Sequence, residues 1–391
     1  MPFRAVVGTV VFLTAMFFVT FVSRFIFSPL LPTIQEDIEM TSGQAGSLFL
    51  IGAVGMLFGS TSAGFVSARI SHRGALALSL FGIALALVGA YFSESVWGLR
   101  AAFIVLGFLA GTHMPSSAAT ITAMVRPDEW GKALSVQQLA PPLSLVAGPL
   151  IAVGLLTWFS WNETLLWIAG ASALAGVAFL VFFGGVGAFP GDPPKPKFLG
   201  PVLRTHSFYL MIFLFALGMG AQVGVYTMLP LYLTEERGLS SAEANTILGL
   251  SNIAPLVVVF LSGLVTSRLG PKPTMAIFLS LTGLMTILVG LLSGAAMVVS
   301  IFLMAALAVG FFPAAFASLS RIVQPTFRSL ANGFAPPLAF LLGGGLLPAA
   351  LGYMGQAASF SLGIVITGAV ILLGSSAAFL VHLLTDLEEG C

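Results

Sequence analysis

Apolar stretches of about bilayer length recur twelve times along this chain, at roughly residues 6–33, 44–67, 75–93, 99–124, 131–156, 164–184, 207–233, 243–267, 274–293, 297–322, 329–353 and 358–384. A helix of about 20 apolar residues crosses the hydrocarbon core of a membrane. Inside that core the backbone has no water to bond to, so a spanning segment must satisfy its own N–H and C=O groups. Runs this long and without alternation leave the α-helix as the solution. The expected fold is an all-α membrane protein of twelve transmembrane helices. Only 7% of the 391 residues are charged, against about 25% in a soluble domain. A net charge of +1 offers no polyanion-binding surface, so no nucleic-acid partner is expected. Cys391 is the lone cysteine; it admits no internal disulfide and is too terminal for a prenylation box. The first run is longer than a signal-peptide core and lacks a small-residue cleavage site, so it reads as a span.

Lys and Arg set the expected orientation. With both termini cytoplasmic, twelve of the fifteen fall on inner loops and helix ends: Arg4, Arg69, Arg73, Arg126, Lys132, Lys195, Lys197, Arg204, Arg268, Lys272, Arg321 and Arg328. Arg100 and Arg237 fall outside, and Arg24 lies within a span. This is the bias of the positive-inside rule. Trp97, Trp158 and Trp161 fall at outer interfaces and Trp130 at an inner one, as an aromatic belt would.

The longest inner loop, 185–206, contains Gly191-Asp192-Pro193-Pro194-Lys195-Pro196-Lys197, a proline-rich linker. It separates an N-terminal six-helix bundle, 1–184, from a C-terminal one, 207–391. The halves repeat. Gly64-Phe65-Val66-Ser67-Ala68-Arg69 returns as Gly263-Leu264-Val265-Thr266-Ser267-Arg268, and Ala140-Pro141-Pro142-Leu143 as Ala335-Pro336-Pro337-Leu338. Pro115 and Arg126-Pro127 map in the same order onto Pro313 and Gln324-Pro325.

Over essentially its full length the chain resembles the major facilitator superfamily of secondary transporters. That family's loop between the second and third helices reads Gly-x-x-x-Asp-Arg/Lys-x-Gly-Arg/Lys-Arg/Lys. Here Gly64, Arg69, His72 and Arg73 match it, as do Gly263, Arg268, Gly270 and Lys272 in the second half. The loop Asp is replaced by Ala68 and Ser267. The resemblance implies two pseudo-symmetric six-helix bundles around a central cavity lined by helices 1, 4, 7 and 10, with alternating access. It also implies that the missing Asp weakens an inner-gate latch or passes its role to other groups.

Arg24 is the residue with the most chemistry. A cation near the centre of a spanning helix costs roughly 2.5–3.5 kcal/mol on insertion scales, and no Asp or Glu is placed mid-membrane in any of these segments. Either the guanidinium faces a cavity and awaits an anion, or it snorkels to the headgroups. Thr20, Arg24 and Ser28 make a polar stripe, and Arg24 precedes Pro32 by eight residues. That register resembles family members carrying organic phosphates and other organic anions. Aligning Pro32 with Pro230 sets Gln222 opposite Arg24, on one face with Tyr226. One cation opposite a neutral amide suits a single negative charge, such as a small carboxylate. Gln222 and Tyr226 alternatively make ordinary interhelical bonds.

His113, in the polar strip Thr112, His113, Ser116, Ser117 and Thr120, is either a proton acceptor or a neutral core residue. Gln137 and Gln138 precede Pro141-Pro142, and Asn332 precedes Pro336-Pro337. They line the cavity or satisfy carbonyls that the prolines free. Asn252 is a further polar candidate. Gly148-Pro149 and Gly343-Gly344-Gly345 loosely resemble an exporter motif. No Walker loop, metal-ligand cluster or nucleophile constellation appears, so no cofactor, metal, ATP-driven pumping or enzymatic activity is expected. The expected function is transport of a small organic anion, proton-coupled or by exchange, by a monomer in the cell's inner membrane. Two alternatives stand: an exporter of lipophilic drugs, which the 34 phenylalanines suit, and a non-transporting receptor or assembly factor.

Overall fold

The computed structural model describes residues 2–192, 203–324 and 327–383. Lys195, Lys197, Pro325 and Cys391 lie outside them. Among the described residues all regular structure is helical, in eleven stretches long and apolar enough to cross a membrane. The chain is an integral, multi-pass membrane protein.

The longest stretch, Ser42–Tyr91, has 50 residues. A straight helix of that length would run about 75 Å at 1.5 Å per residue, more than twice the hydrocarbon thickness. It is broken at Ser71, whose φ of 65° and ψ of 166° are not helical. Gly270, 199 residues on (270 − 71), has nearly the same backbone, φ 82° and ψ 168°, and separates Pro255–Leu269 from Pro271–Leu291. Only glycine adopts this region freely, and a residue with a Cβ there stores about 1–3 kcal/mol of strain. Ser71 offsets part of that cost: its Oγ accepts the N–H of Gly74 at 3.2 Å, capping the helix that follows. Gly is nearly as good a cap as Ser, within a few tenths of a kcal/mol. Ser71→Gly is therefore expected to stabilise the protein by about 1 kcal/mol. Thermal unfolding in detergent checks this, and a lowered midpoint would contradict it.

The chain packs as two units, Met1–Met40 with Ile51–Pro194, and Thr41–Leu50 with Lys195–Cys391. In the first, helix α1 (Phe3–Phe25) buries Val6, Val10, Leu13 and Met16 along one face, against Leu76, Leu80, Ile121 and Phe179. Helical periodicity places these residues on one stripe. Two other segments of this unit touch through glycines. A Cβ on Gly55, Gly59, Gly107 or Gly111 would overlap the carbonyl oxygen of Ile104, Phe108, Gly52 or Met56 in turn. Lipid is as apolar as Leu, so helices in a membrane associate by close packing, and small residues permit it. The second unit repeats the device. Gly283 and Gly368 each lie against the other's helix, and Gly343 and Gly224 let the stretches 206–236 and 330–357 touch.

The few charges sit at helix ends. In the first unit, Glu129 accepts the N–H of Phe3 at 2.8 Å, at the start of α1. Asp37 accepts Trp161 Nε1–H at 2.8 Å. In the second, Glu236 accepts the N–H of Phe360 at 2.6 Å, at the start of the helix Phe360–Gly374. Arg237 donates to the carbonyl of Gly290 at 2.9 Å, at the end of Pro271–Leu291. Glu129, Glu236 and Arg237 each bring the sign that the dipole and the unpaired groups of the contacted helix end favour. Trp97 and Trp158 are exposed, 75% and 84%, as a belt requires, but Trp161 is 6% exposed and anchored by Asp37.

Candidate functional site

The break after α1 positions Arg24. Pro29 has no N–H to give the carbonyl of Phe25, and α1 stops at Phe25 before helix resumes at Phe27–Asp37. Arg24 thus lies in the last turn of α1, where the dipole favours a cation. From Val22 to Leu31 it is the one residue that is not buried. Its Nη1 donates to the thioether sulfur of Met56 at 3.0 Å, and its guanidinium carbon lies 5.3 Å from the centroid of the Phe25 ring. Thioether sulfur is a weak acceptor, and an anion would form far stronger bonds to the guanidinium fork. Thr20 and Ser28 are buried, and the Thr20 hydroxyl donates to the carbonyl of Met16 at 3.0 Å.

Rings connect this cation to His113. Phe25 lies 5.7 Å from Phe21, Phe21 lies 4.9 Å from Phe17, and Phe17 is parallel to the His113 imidazole at 5.8 Å. His113 is fully buried, with Nδ1 2.7 Å from Ser79 Oγ. Ser79 has one proton, and its Oγ donates to the carbonyl of Leu76 at 2.8 Å. The network therefore assigns the ring proton to Nδ1, donated to Ser79, and leaves Nε2 as a lone pair. That Nε2 is buried with no hydrogen-bond partner among the described residues.

In the second unit Gln222 lies in a wide π turn, Gly220–Val225. Such turns are rare and concentrate at functional sites. From Gly220 to Leu233 every residue is buried except Gln222. The residue that repeat alignment pairs with Arg24 therefore stands out from its own helix in the same way. Tyr226, in contrast, is 3% exposed, within the buried part of that stretch.

The other amides have structural partners. Gln137 is 3% exposed and donates to Ser117 Oγ at 2.8 Å, while Gln138 is exposed. Asn332 donates to Ser320 Oγ at 3.3 Å, and its buried Oδ1 has no hydrogen-bond partner among the described residues. Neither side chain bonds a proline-freed carbonyl. Asn252 donates to the carbonyl of Leu248 at 3.0 Å, at a helix end just before Pro255.

At the basic loops, Arg69 and Arg268 are exposed and Lys272 is half-buried. Gly263 is also exposed with open space around it, so no helix approach requires its lack of a side chain. Arg73 is the tie. Its Nη1 and Nη2 donate to the carbonyls of Phe183 and Leu180 at 2.7 and 2.8 Å, at the end of the helix Trp161–Phe182. The chain beyond folds back as a strap. The N–H groups of His72, Arg73 and Gly191 donate to the carbonyls of Phe189, Gly187 and Ser67 at 3.0, 2.7 and 3.1 Å. Gly187 holds φ 72°, and a Cβ on Gly191 would collide with Ser67 Oγ. In the absence of the loop Asp, backbone bonds and Arg73 pin the turn between the helices.

The sequence reading did not single out Met56, the strap, or the capping roles of Arg73, Glu236 and Arg237. The repeat held one further signal: the 199-residue offset pairs Ser71 with Gly270.

An all-helical, multi-pass membrane fold does not by itself separate a carrier from a membrane enzyme; the family does. The sequence profile of the Major Facilitator Superfamily matches residues 13–240 and 208–389, and the chain belongs to that superfamily. Among curated relatives, it is 27% identical over 259 residues to a chloramphenicol resistance protein of Streptomyces lividans, covering 63% of each chain. It is 25% identical over 296 residues to a gallate transporter of Pseudomonas putida, covering 67% of this chain and 66% of that one. These matches thus span just under two thirds of each relative's length. Among solved structures, a bacterial homolog of the human lysosomal transporter Spinster, inward-facing and occupied, superposes with a TM-score of 0.80 over 97% of both chains at 15% identity. A D-xylose–proton symporter superposes with a TM-score of 0.77 over 97% of this chain and 98% of that one, at 16% identity.

Proposed function

We propose that the chain is a secondary active transporter of a small organic monoanion, a monocarboxylate, with Arg24 as the ligand for its charge. In this reading the break at Ser71 divides the longest stretch into two crossings and makes twelve. They form two six-helix halves, 1–184 and 207–391, joined by 185–206, with both termini in the cytoplasm and the chain in the inner membrane. The carrier works as a monomer by alternating access.

The observation that carries the proposal is Arg24 itself: a cation deep in an apolar helix, the one position not buried between Val22 and Leu31, bonded to the replaceable thioether of Met56. A carboxylate would take the guanidinium fork in two parallel charge-assisted bonds. Gln222, which the repeat alignment pairs with Arg24, is neutral, so the charge is matched by Arg24 alone, and a dianion would leave one charge uncompensated. Thr20, Tyr226, Gln137, Asn252 and Asn332 are buried or engaged in hydrogen bonds, so they support the site's shape more than they bind. The gallate transporter among the relatives fits this reading, because gallate is a carboxylate.

Moving a monoanion inward against 100 mV, negative inside, costs about 2.3 kcal/mol. Uptake then needs a proton or an exchanged anion. His113 is the proton candidate, because its bare Nε2 can accept one. His113→Gln is expected to flatten the dependence of uptake on pH. An unaltered profile would remove the proton role of His113 and leave a proton carried with the substrate, or exchange. The function itself is tested by thermal shift of purified protein across carboxylates, sugar phosphates and inorganic anions, followed by uptake into proteoliposomes. Stabilisation by monocarboxylates alone supports the proposal; equal stabilisation by phosphate esters overturns the monoanion class.

A second reading, export of lipophilic compounds, is favoured by the chloramphenicol resistance relative. Overexpressing cells surviving a broad panel of toxic compounds would support it, whereas an anion importer confers no such resistance.

A further inference from the structure

Under the strap the first unit holds a cleft of about 400 Å³, separate from Arg24 and His113. His72, Ser116 and Asp192 line it together with the apolar surfaces of Pro115, Ala119 and Phe189. Two of the polar groups are stranded. Among the described residues, His72 is 8% exposed with no hydrogen-bond partner for its Nδ1, and Ser116 is fully buried with none for its Oγ. Buried polar atoms rarely stay unpaired, because each one left without a partner costs about 1–3 kcal/mol. Here two of them line one space, and its volume falls within the range of about 300–1,000 Å³ usual for small-molecule sites.

The chemistry of the lining selects the occupant. Above its ordinary pKa near 6.5 an imidazole is neutral, and with its proton on Nε2 the Nδ1 of His72 is an acceptor. The hydroxyl oxygen of Ser116 has lone pairs to offer. Asp192, exposed at the rim, brings a full negative charge. Among the described residues, Arg73 is committed to the carbonyls of Leu180 and Phe183, and the exposed Arg69 does not line the cleft. With His72 and Ser116 accepting beside Asp192, the matching ligand supplies N–H donors and positive charge, on a body that suits proline, alanine and phenylalanine.

We infer that this cleft binds a small amphiphilic amine in its protonated form. The ammonium bonds Asp192, His72 and Ser116, and the hydrocarbon part rests on Pro115, Ala119 and Phe189. Because the strap supplies Asp192 and Phe189 while the helices supply the rest, an occupant joins the strap to them. The site is independent of the anion proposal, since none of its residues is assigned to the transported cargo.

The test uses the full chain in nanodiscs and three isosteric probes: 2-phenylethylamine, 2-phenylethanol and 3-phenylpropionate. Calorimetry is expected to show saturable binding of the amine, binding of the alcohol weaker by about tenfold or more, and none of the carboxylate. Asp192→Asn, at the exposed rim, should weaken amine binding about tenfold, and Ala119→Phe should block it by filling the cleft. Both variants should unfold near the wild-type temperature; Asp192→Asn keeps the test valid if Ala119→Phe does not fold. Equal binding of amine and alcohol overturns the proposal. So does amine binding unchanged in Asp192→Asn, or no binding of the amine up to about 10 mM.

Discussion

Arg24→Ala is expected to reduce uptake of the cognate monoanion to the level of protein-free vesicles, with the folded protein intact. Two charge-assisted hydrogen bonds at about 1.5–3 kcal/mol each correspond to a loss well beyond a hundredfold in binding. Arg24→Lys keeps the charge but loses the planar fork, and should retain transport weakened by about tenfold. Stability should move the other way. Removing a cation from the apolar helix relieves roughly 2.5–3.5 kcal/mol of insertion cost, so the unfolding temperature of the Ala variant should hold or rise. Near-normal transport by that variant would reject Arg24 as the ligand. Loss of transport together with loss of folded protein would instead make Arg24 a cap for the end of α1.

Gly107→Val should abolish most folded protein. A Cβ there overlaps the carbonyl oxygen of Gly52 and crowds the N–H of Met56. Backbone cannot yield as a flexible side chain can, so the two helices must separate. Overpacking costs about 1–3 kcal/mol in a soluble core, and here tight contact is also the main source of association. Met56 would move as well, and with it the partner of Arg24. Gly154, which has open space around it, is the control: Gly154→Val should be tolerated. Size-exclusion profiles and thermal unfolding of the two variants distinguish these outcomes, and equal behaviour would refute the packing account.

Features that depend on composition and repetition were legible before any coordinates. The apolar runs announced the spans, because hydrocarbon admits little else. The offset of 198 residues pairs Arg24 with Gln222, and each is the one position not buried within a local window, Val22–Leu31 for the first and Gly220–Leu233 for the second. What escaped depends on where chains cross. Nothing in the spacing of Met56 announces a guanidinium 32 residues earlier in the chain. Arg73 read as one of a basic cluster pinning a loop at the surface, but its bonds run to carbonyls more than a hundred residues away. The residues 185–192 read as part of a linker, because proline and glycine mark irregular backbone without telling a docked strap from a free one. The three glycines at 343–345 read as a loose motif; Gly343 is a contact point between helices, and its partner surface is not written beside it.

Gly343 also sits in a π turn, Leu341–Leu346, and packs against the π turn that carries Gln222. Each such turn stores one residue more than ordinary α-helix would hold. If the turn at Gln222 gave up that surplus, everything beyond it would swing by roughly 100° about the helix axis. Tyr226 would then leave its buried setting and face a new direction. A slack residue beside a glycine hinge gives this segment a ratchet step that a uniform helix lacks.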